Sequence, residues 1–191
     1  MSDLASRLRA LPAFPEDLPL FDPAAVPADP TMLLLDWLGD AIASGERQPH
    51  AVTVTTVDDD GFPANRTLIV KDLDSDGIHF SSSLASRKAD HLAERPYVGM
   101  LFFWRPLGRQ VEVTGNAEAL SAETSAADWR QRPNFDGRDN PDWQVWSLHP
   151  SRFEFLQATH DRAHVRVEYR RTRTGWTHRR LRPSEAPPES T

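Results

Sequence analysis

Two short stretches concentrate cations in patterns that ordinary surface chemistry does not explain well. In FSSSLASRKADHL (80–92), Ser81, Ser82 and Ser86 lead into a helix start that carries Arg87 and Lys88. A helix N-terminus bears partial positive charge and unpaired N–H groups, so cations are mildly unfavourable there. An anion held at that corner by hydroxyls, backbone N–H groups and the two side chains removes the conflict. A serine-capped helix with two solvated cations is the plainer alternative. In HDRAHVRVEY (160–169), period-two alternation predicts a strand with His160, Arg162, His164, Arg166 and Glu168 on one face and Ala163, Val165, Val167 and Tyr169 on the other. Cations two residues apart repel one another unless they are solvated or share an anion. A solvent-facing strand with Glu168 as partial partner and an anion-binding face both fit. His160 and His164 have the spacing of a helical ligand pair, but no carboxylate or cysteine set completes a metal site.

Two weaker signals accompany these. NRTLIVK (65–71) brackets an apolar strand with Arg66 and Lys71, which by parity face opposite sides. Gln110 follows Arg109 at a strand start, and its amide, donor and acceptor at once, can pair with the edge of a pyrimidine-like ring. There is no GxGxxG or Walker loop and no GxSxG elbow, so hydrolase chemistry has no motif behind it.

The elements that must hold these residues follow from periodicity. Residues 1–28 are Pro-rich and weakly periodic and read as a mobile arm. A helix capped by Asp29, with Pro30 in its first turn and Gly45 at its end, places Leu34, Trp37, Leu38, Ala41 and Ile42 on one face. Strands are expected at 50–57, 65–71, 78–82, 97–104 and 109–120, with a short helix near 86–95. A helix from Ser121 to about Arg132 and a polar loop (133–142) precede strands at 151–158, 163–171 and 175–181. Tight turns between successive strands predict a mainly β fold with flanking helices, an antiparallel meander closed into a small barrel of six strands or so. One domain over 29–183 and a disordered acidic tail at 184–191 complete the expected organisation.

Composition narrows the function classes. The 191 residues are 39% apolar and 26% charged, with six Trp and nine Phe, as in a globular domain able to bury a core. Net charge is −6, which argues against general nucleic-acid binding. No apolar run reaches the length of a membrane span, and the N-terminus lacks the order of a signal peptide. With zero cysteines there is no disulfide framework, and a cytoplasmic protein is expected.

The order of the clusters is more specific than any one of them. The succession RTLIVK, FSSSLASRKADHL, LFFWRPLGRQVEVTGNAEALS, RP, FEFLQ, RAHVRVEY and GWTHRRLRP resembles the pyridoxamine/pyridoxine 5'-phosphate oxidase family from about residue 30 to residue 183. The resemblance implies an FMN-binding split β-barrel that works as a homodimer with flavin at the interface. It implies an FMN site made by Arg66, Thr67, Leu68, Ile69, Lys71, Ser81, Ser82, Ser86, Arg87, Lys88, Gln110 and Arg166, with Arg166 coming from the partner subunit. The anion at the helix start would be the FMN phosphate. Lys71, Arg132, Arg162 and His164 match positions that hold a small phosphorylated pyridine, and Arg162 and His164 match the catalytic pair beside the reacting carbon. The implied reaction passes a hydride from the substrate C4' carbon to flavin N5, and oxygen then reoxidises the flavin, giving pyridoxal 5'-phosphate and hydrogen peroxide.

Departures from the family pattern bear on the substrate more than on the cofactor. Leu156 stands where the family usually has Trp beside the flavin, Asp128 where a Tyr would hold the substrate phosphate, and Asp136 where a Ser would follow. The N-terminal Arg/Tyr element and a segment after Arg132 are missing. An FMN enzyme acting on another ring substrate in secondary metabolism and a non-catalytic flavin-binding protein are the alternatives.

Overall fold

Alternation builds the sheet. In the first strand Val52, Val54 and Thr56 point inward and are buried, while Thr53, Thr55 and Val57 face outward. The computed structural model describes residues 3–12 and 14–182. In chain order the elements are α1 (Asp3–Arg9), α2 (Pro30–Ala43), β1 (Ala51–Val57), β2 (Pro63–Asp74), β3 (Gly77–Ser83), α3 (Arg87–Glu94), β4 (Tyr97–Trp104), β5 (Arg109–Ala119), α4 (Ala122–Arg130), β6 (Trp143–Gln157), β7 (Val165–Thr172) and β8 (Gly175–Leu181).

The strands run β3-β2-β1-β4-β5-β6-β7-β8, all neighbours antiparallel, and β3 also pairs with β6. That last pairing closes six strands into a barrel and leaves β7 and β8 as a hairpin continuing from β6. Closure removes the unpaired edges that a six-stranded open sheet would expose. The expected barrel is therefore present. Its sixth strand is longer than the 151–158 expected from alternation, because Trp143–Gln157 pairs with β5, β3 and β7 in turn. Two glycines permit close approaches that a side chain would block. A Cβ on Gly115 would lie 2.1 Å from the His149 carbonyl oxygen, at the register shift between β5 and β6. Gly77, at φ 124°, turns the β2–β3 hairpin against Leu148.

The core fills the barrel with Val52, Val54, Ile78, Phe80, Met100, Phe102, Val111, Val113, Phe153 and Phe155. α2 is capped as expected, Asp29 Oδ1 accepting from Thr31 N at 2.9 Å, and lays Leu34 and Trp37 on the barrel. Of the expected face, Ile42 stays exposed and Leu33 is buried in its place. Burying an aliphatic side chain such as Leu34 contributes roughly 1.5–3 kcal/mol. The N-terminal segment, expected as a mobile arm, carries α1 and packs against α2 and β7. Phe21 packs on Trp37 (5.0 Å between ring centroids), and Tyr169 donates to the Pro27 carbonyl at 2.8 Å. Burial and then the nearby Asp29 charge push the Tyr169 phenol up to about 12. The expected tail at 184–191 lies outside the described residues.

Candidate functional site

One open cleft of about 610 Å³ gathers four of the expected anion-binding residues. Arg66 comes from β2, and Ser86, Arg87 and Lys88 come from the start of α3. Asp58, Asp59, Asp60, Ala64, Asn65 and His91 complete the lining. β1 and β2 are joined by a turn in which Asp58 Oδ1 accepts from Phe62 N at 2.7 Å, so the strand pair delivers Arg66 beside α3. The inward-facing Arg66 is fixed by two bonds from Nη1, to the Val54 carbonyl (3.2 Å) and to Thr56 Oγ1 (2.8 Å). Thr56 Oγ1 is in turn 2.9 Å from Nδ1 of the buried His91, which ties the strand cation to α3.

This corner sets three cations, Arg66, Arg87 and Lys88, against three carboxylates, Asp58, Asp59 and Asp60. Burial and the Arg87 charge lower the Arg66 pKa, and burial and the Arg66 charge lower that of Lys88. Among the described residues none of the three cations forms an ion pair. At the N-cap of α3, the Ser86 hydroxyl donates to the Ser83 carbonyl (2.7 Å) and makes no capping bond to the first turn. The start of the helix is thus left to receive an acceptor from outside. Ser81 and Ser82 do not line the cleft. They are buried in β3 opposite Val145 and Gln144, and the Ser82 hydroxyl has no hydrogen-bond partner among the described residues.

Thr67, Ile69, Gln110 and Arg166 lie on the outer face of the sheet. Register joins Ala51 to Ile69, Phe103 to Gln110, Gln110 to Leu156 and Leu156 to Arg166. Thr67 shares that outer face, whereas Leu68 faces inward opposite Val52. Gln110 and Arg166 are therefore within two strands of each other but on the opposite face from Arg66. β5 is three strand spacings from β2 in either direction round the barrel, roughly 14 Å. Arg166 Nε donates to Glu154 Oε1 at 2.7 Å. Beside it, Glu168 accepts from Arg152, Arg170 and Arg179 at 2.8–3.1 Å. Burial alone would raise the Glu168 carboxyl, but those three guanidinium groups overcome it and hold it down at about 2.

The strand expected from His160 begins only at Val165, so the row of five polar side chains is broken. Arg162 sits in the preceding turn at φ 62° and is exposed, its N–H donating to the Thr159 carbonyl at 3.2 Å. Asp161 Oδ1 accepts from Thr159 Oγ1 (2.6 Å) and Ala163 N (3.0 Å), and this local turn chemistry defeats the alternation. His164 Nδ1 accepts from Thr159 N at 3.0 Å, and its ring meets Phe14 edge-on at 6.1 Å.

Lys71 and Arg132 meet partners that sequence reasoning did not assign. Lys71 leaves β2 at a register irregularity, and its Nζ is 3.4 Å from Asp128 Oδ1 on α4. Asp128 Oδ2 accepts from Trp143 Nε1 at 2.7 Å. Just past α4, the Arg132 guanidinium lies over the Trp129 and Trp143 rings, 4.6 and 4.5 Å from their centroids. Asp136, expected near the same place, accepts from Arg138 N within its own loop at 3.0 Å. His91, Thr56, Trp129 and Trp143 are the contributors missed. Only His91 left a trace, four residues after Arg87 on the same helix face.

Comparison with known proteins agrees over most of the chain. The family model described as pyridoxamine 5'-phosphate oxidase matches residues 38–157, and that described as pyridoxine 5'-phosphate oxidase C-terminal dimerisation region matches 143–183. The pyridoxine/pyridoxamine 5'-phosphate oxidase of Ectopseudomonas mendocina is 32% identical over 84% of this chain and 91% of its own length. That of Bordetella petrii is 33% identical over 82% and 90%. Among solved structures, PhzG from Burkholderia lata, in complex with tetrahydrophenazine-1-carboxylic acid, superposes with a TM-score of 0.80 at 24% identity, covering 90% of this chain and all of that one. A pyridoxamine 5'-phosphate oxidase-related FMN-binding protein from Nostoc punctiforme gives a TM-score of 0.68 at 17% identity, covering 78% of this chain and 96% of that one.

Proposed function

This chain belongs to the pyridoxamine 5'-phosphate oxidase family of flavin-dependent oxidoreductases, and we propose that it binds FMN and oxidises a ring-bearing substrate, as a cytoplasmic homodimer. The observation that carries the cofactor assignment is the cleft joining Arg66, Ser86, Arg87 and Lys88. Arg66 and Lys88, whose pKa values burial and a neighbouring cation lower, lie with Arg87 beside an uncapped helix start and fit a phosphate dianion, which supplies the missing acceptor and a charge partner. FMN held by Arg66, Ser86, Arg87 and Lys88 would supply two-electron oxidation of a substrate carbon, with oxygen as final acceptor and hydrogen peroxide as its product.

The chain's own residues bind and orient. Arg66 is pre-set by Val54 and Thr56, so little side-chain freedom is lost when it meets an anion. Gln110 offers a donor and an acceptor on the outer face to a heteroaromatic edge. With Nδ1 accepting from Thr159 N, the neutral His164 ring keeps its proton on Nε2, a donor for a substrate heteroatom. Arg162, exposed in the same turn, supplies positive charge beside it. Oxidising an amine or alcohol carbon also releases a proton from its nitrogen or oxygen; no side-chain base is assigned to take it, and it passes to solvent.

The shared name of the curated relatives makes pyridoxamine or pyridoxine 5'-phosphate the first substrate to offer, with pyridoxal 5'-phosphate as product. A second reading, oxidation of a different ring compound, is favoured by the carboxylate of Asp128 beside Lys71. PhzG carries this fold round a tetrahydrophenazine ring. The test is an anaerobic absorbance spectrum of the purified FMN-loaded protein before and after pyridoxamine 5'-phosphate. Bleaching of the flavin band establishes the vitamin reaction. A band that stays yellow keeps the cofactor and turns the search to other rings. Failure to retain FMN overturns the proposal.

A further inference from the structure

We infer that Asp72, Asp74 and His79, at the end of the β2–β3 hairpin, form a binding site for a divalent transition-metal ion of the zinc class, separate from the flavin cleft.

The antiparallel register assembles it. Asp72 lies opposite His79, and Asp74 is two residues further along β2, so the three side chains share one face of the hairpin. That face is the outer one, because Ile78 and Phe80, on either side of His79, fill the core. Regular pairing onward from Val70 and Phe80 would set Lys71 opposite His79. The irregularity between Val70 and Asp72 brings Asp72 there, a carboxylate in place of a cation. An imidazole nitrogen and one oxygen from each carboxylate all lie within 4.8 Å of one another. Along the chain none of this shows, since Asp72 and Asp74 flank an ordinary turn and His79 stands alone.

His79 makes the cluster more than two hairpin aspartates. It is only 8% exposed, and its Nε2 is closed off from solvent with no hydrogen-bond partner among the described residues. A buried ring nitrogen in that state has lost its water and gained nothing in return. Yet Nε2 lies 3.3 Å from Asp74 Oδ1, near enough to meet it but not aligned to bond. Two ligand atoms on one zinc ion, each about 2.0–2.2 Å from it at tetrahedral angles, sit about 3.4 Å apart. The observed separation is that of two ligands sharing an ion. Asp72 is exposed, and rotation of its side chain closes the remaining distance.

The donor set selects the ion. Two carboxylates and a neutral imidazole carry two negative charges, and among the described residues no lysine or arginine pairs with either aspartate. Imidazole suits zinc and its first-row neighbours, whereas magnesium and calcium prefer an all-oxygen shell. Three protein ligands leave the outward position to water. Asp72 is six residues along β2 from Arg66, roughly 20 Å, so the ion clips the hairpin end and does not reach the flavin phosphate.

The FMN-loaded protein, stripped of metal with a chelator, is titrated with zinc by calorimetry. The wild type is expected to take one zinc per chain with a Kd of about 10 μM or tighter. Zinc at about 100 times Kd should raise Tm by roughly 5 °C or more. Asp72→Asn and His79→Gln should each weaken binding at least about tenfold, with FMN retained. His149→Gln, which alters a separate histidine–glutamate pair, should leave it unchanged. A wild type that binds no zinc at about 100 μM overturns the inference and leaves His79 a plain ion-pair partner of Asp74. Zinc binding that neither Asp72→Asn nor His79→Gln weakens is adventitious and overturns it too, as does displacement by about 1 mM magnesium. Asp72 is exposed, so its variant decides even where His79→Gln fails to fold.

Discussion

At the scale of single residues, the informative feature is a charge in the wrong place. Arg87 and Lys88 open a helix whose dipole disfavours them, and the sequence alone made that conflict visible. Their partner Arg66 was visible only as one end of an apolar strand, because the bonds that aim it come from Val54 and Thr56, across a strand pair that no local pattern encodes. Thr56 was invisible for the same reason, and His91 left only its place on the helix face of Arg87. Each charge-assisted hydrogen bond is worth about 1.5–3 kcal/mol, so Arg87→Ala with Lys88→Ala is expected to weaken FMN binding by about 100-fold or more. Fluorescence quenching of FMN on titration measures it. Unchanged affinity would move the phosphate elsewhere.

At the scale of elements, alternation succeeded where both faces of a strand have clear fates and failed where turn chemistry intervened. It located β1 to β5, but it carried the strand back through Asp161 and Arg162, where Asx hydrogen bonds and a positive φ hold a turn. Residues 143–150 escaped notice because polar Gln144, Ser147 and His149 interrupt the pattern. Within β7, Glu168 was expected as a partial partner on a solvated face, yet it is 2% exposed and accepts from three arginines. Its carboxyl is held at about 2 against an ordinary 4.5. The folded-state value is depressed, so the stabilisation is fully present above about pH 4.5 and is lost as pH falls toward about 2. Glu168→Gln is expected to cost about 3 kcal/mol at pH 7, in thermal or urea melts, and the gap to wild type should close on acidification through that window. A gap that stays constant down to pH 2 would refute the linkage.

At the scale of the whole molecule, the barrel separates residues that we propose meet one flavin. Arg66 faces inward at the α3 corner, while Gln110 and Arg166 share a row on the outer wall, three strand spacings away. A ligand bound by all of them within one chain would have to pass round the sheet. A second copy whose β5–β7 face meets the first chain's β2–α3 corner removes that difficulty, and the dimerisation-region match at 143–183 covers β6, β7 and β8. Mixed dimers test the geometry. One protomer carries Arg87→Ala with Lys88→Ala, and its partner carries Arg166→Ala. If each site takes its phosphate cradle from one chain and Arg166 from the other, a mixed dimer has one site with both defects and one intact site. Differentially tagged, purified mixed dimers should then hold about half the FMN of wild type, while each homodimeric variant holds little, because a lost charge-assisted contact weakens every site in it. Mixed dimers as empty as the homodimers would place the whole site within a single chain and require β5 and β7 to reach the cleft by another route.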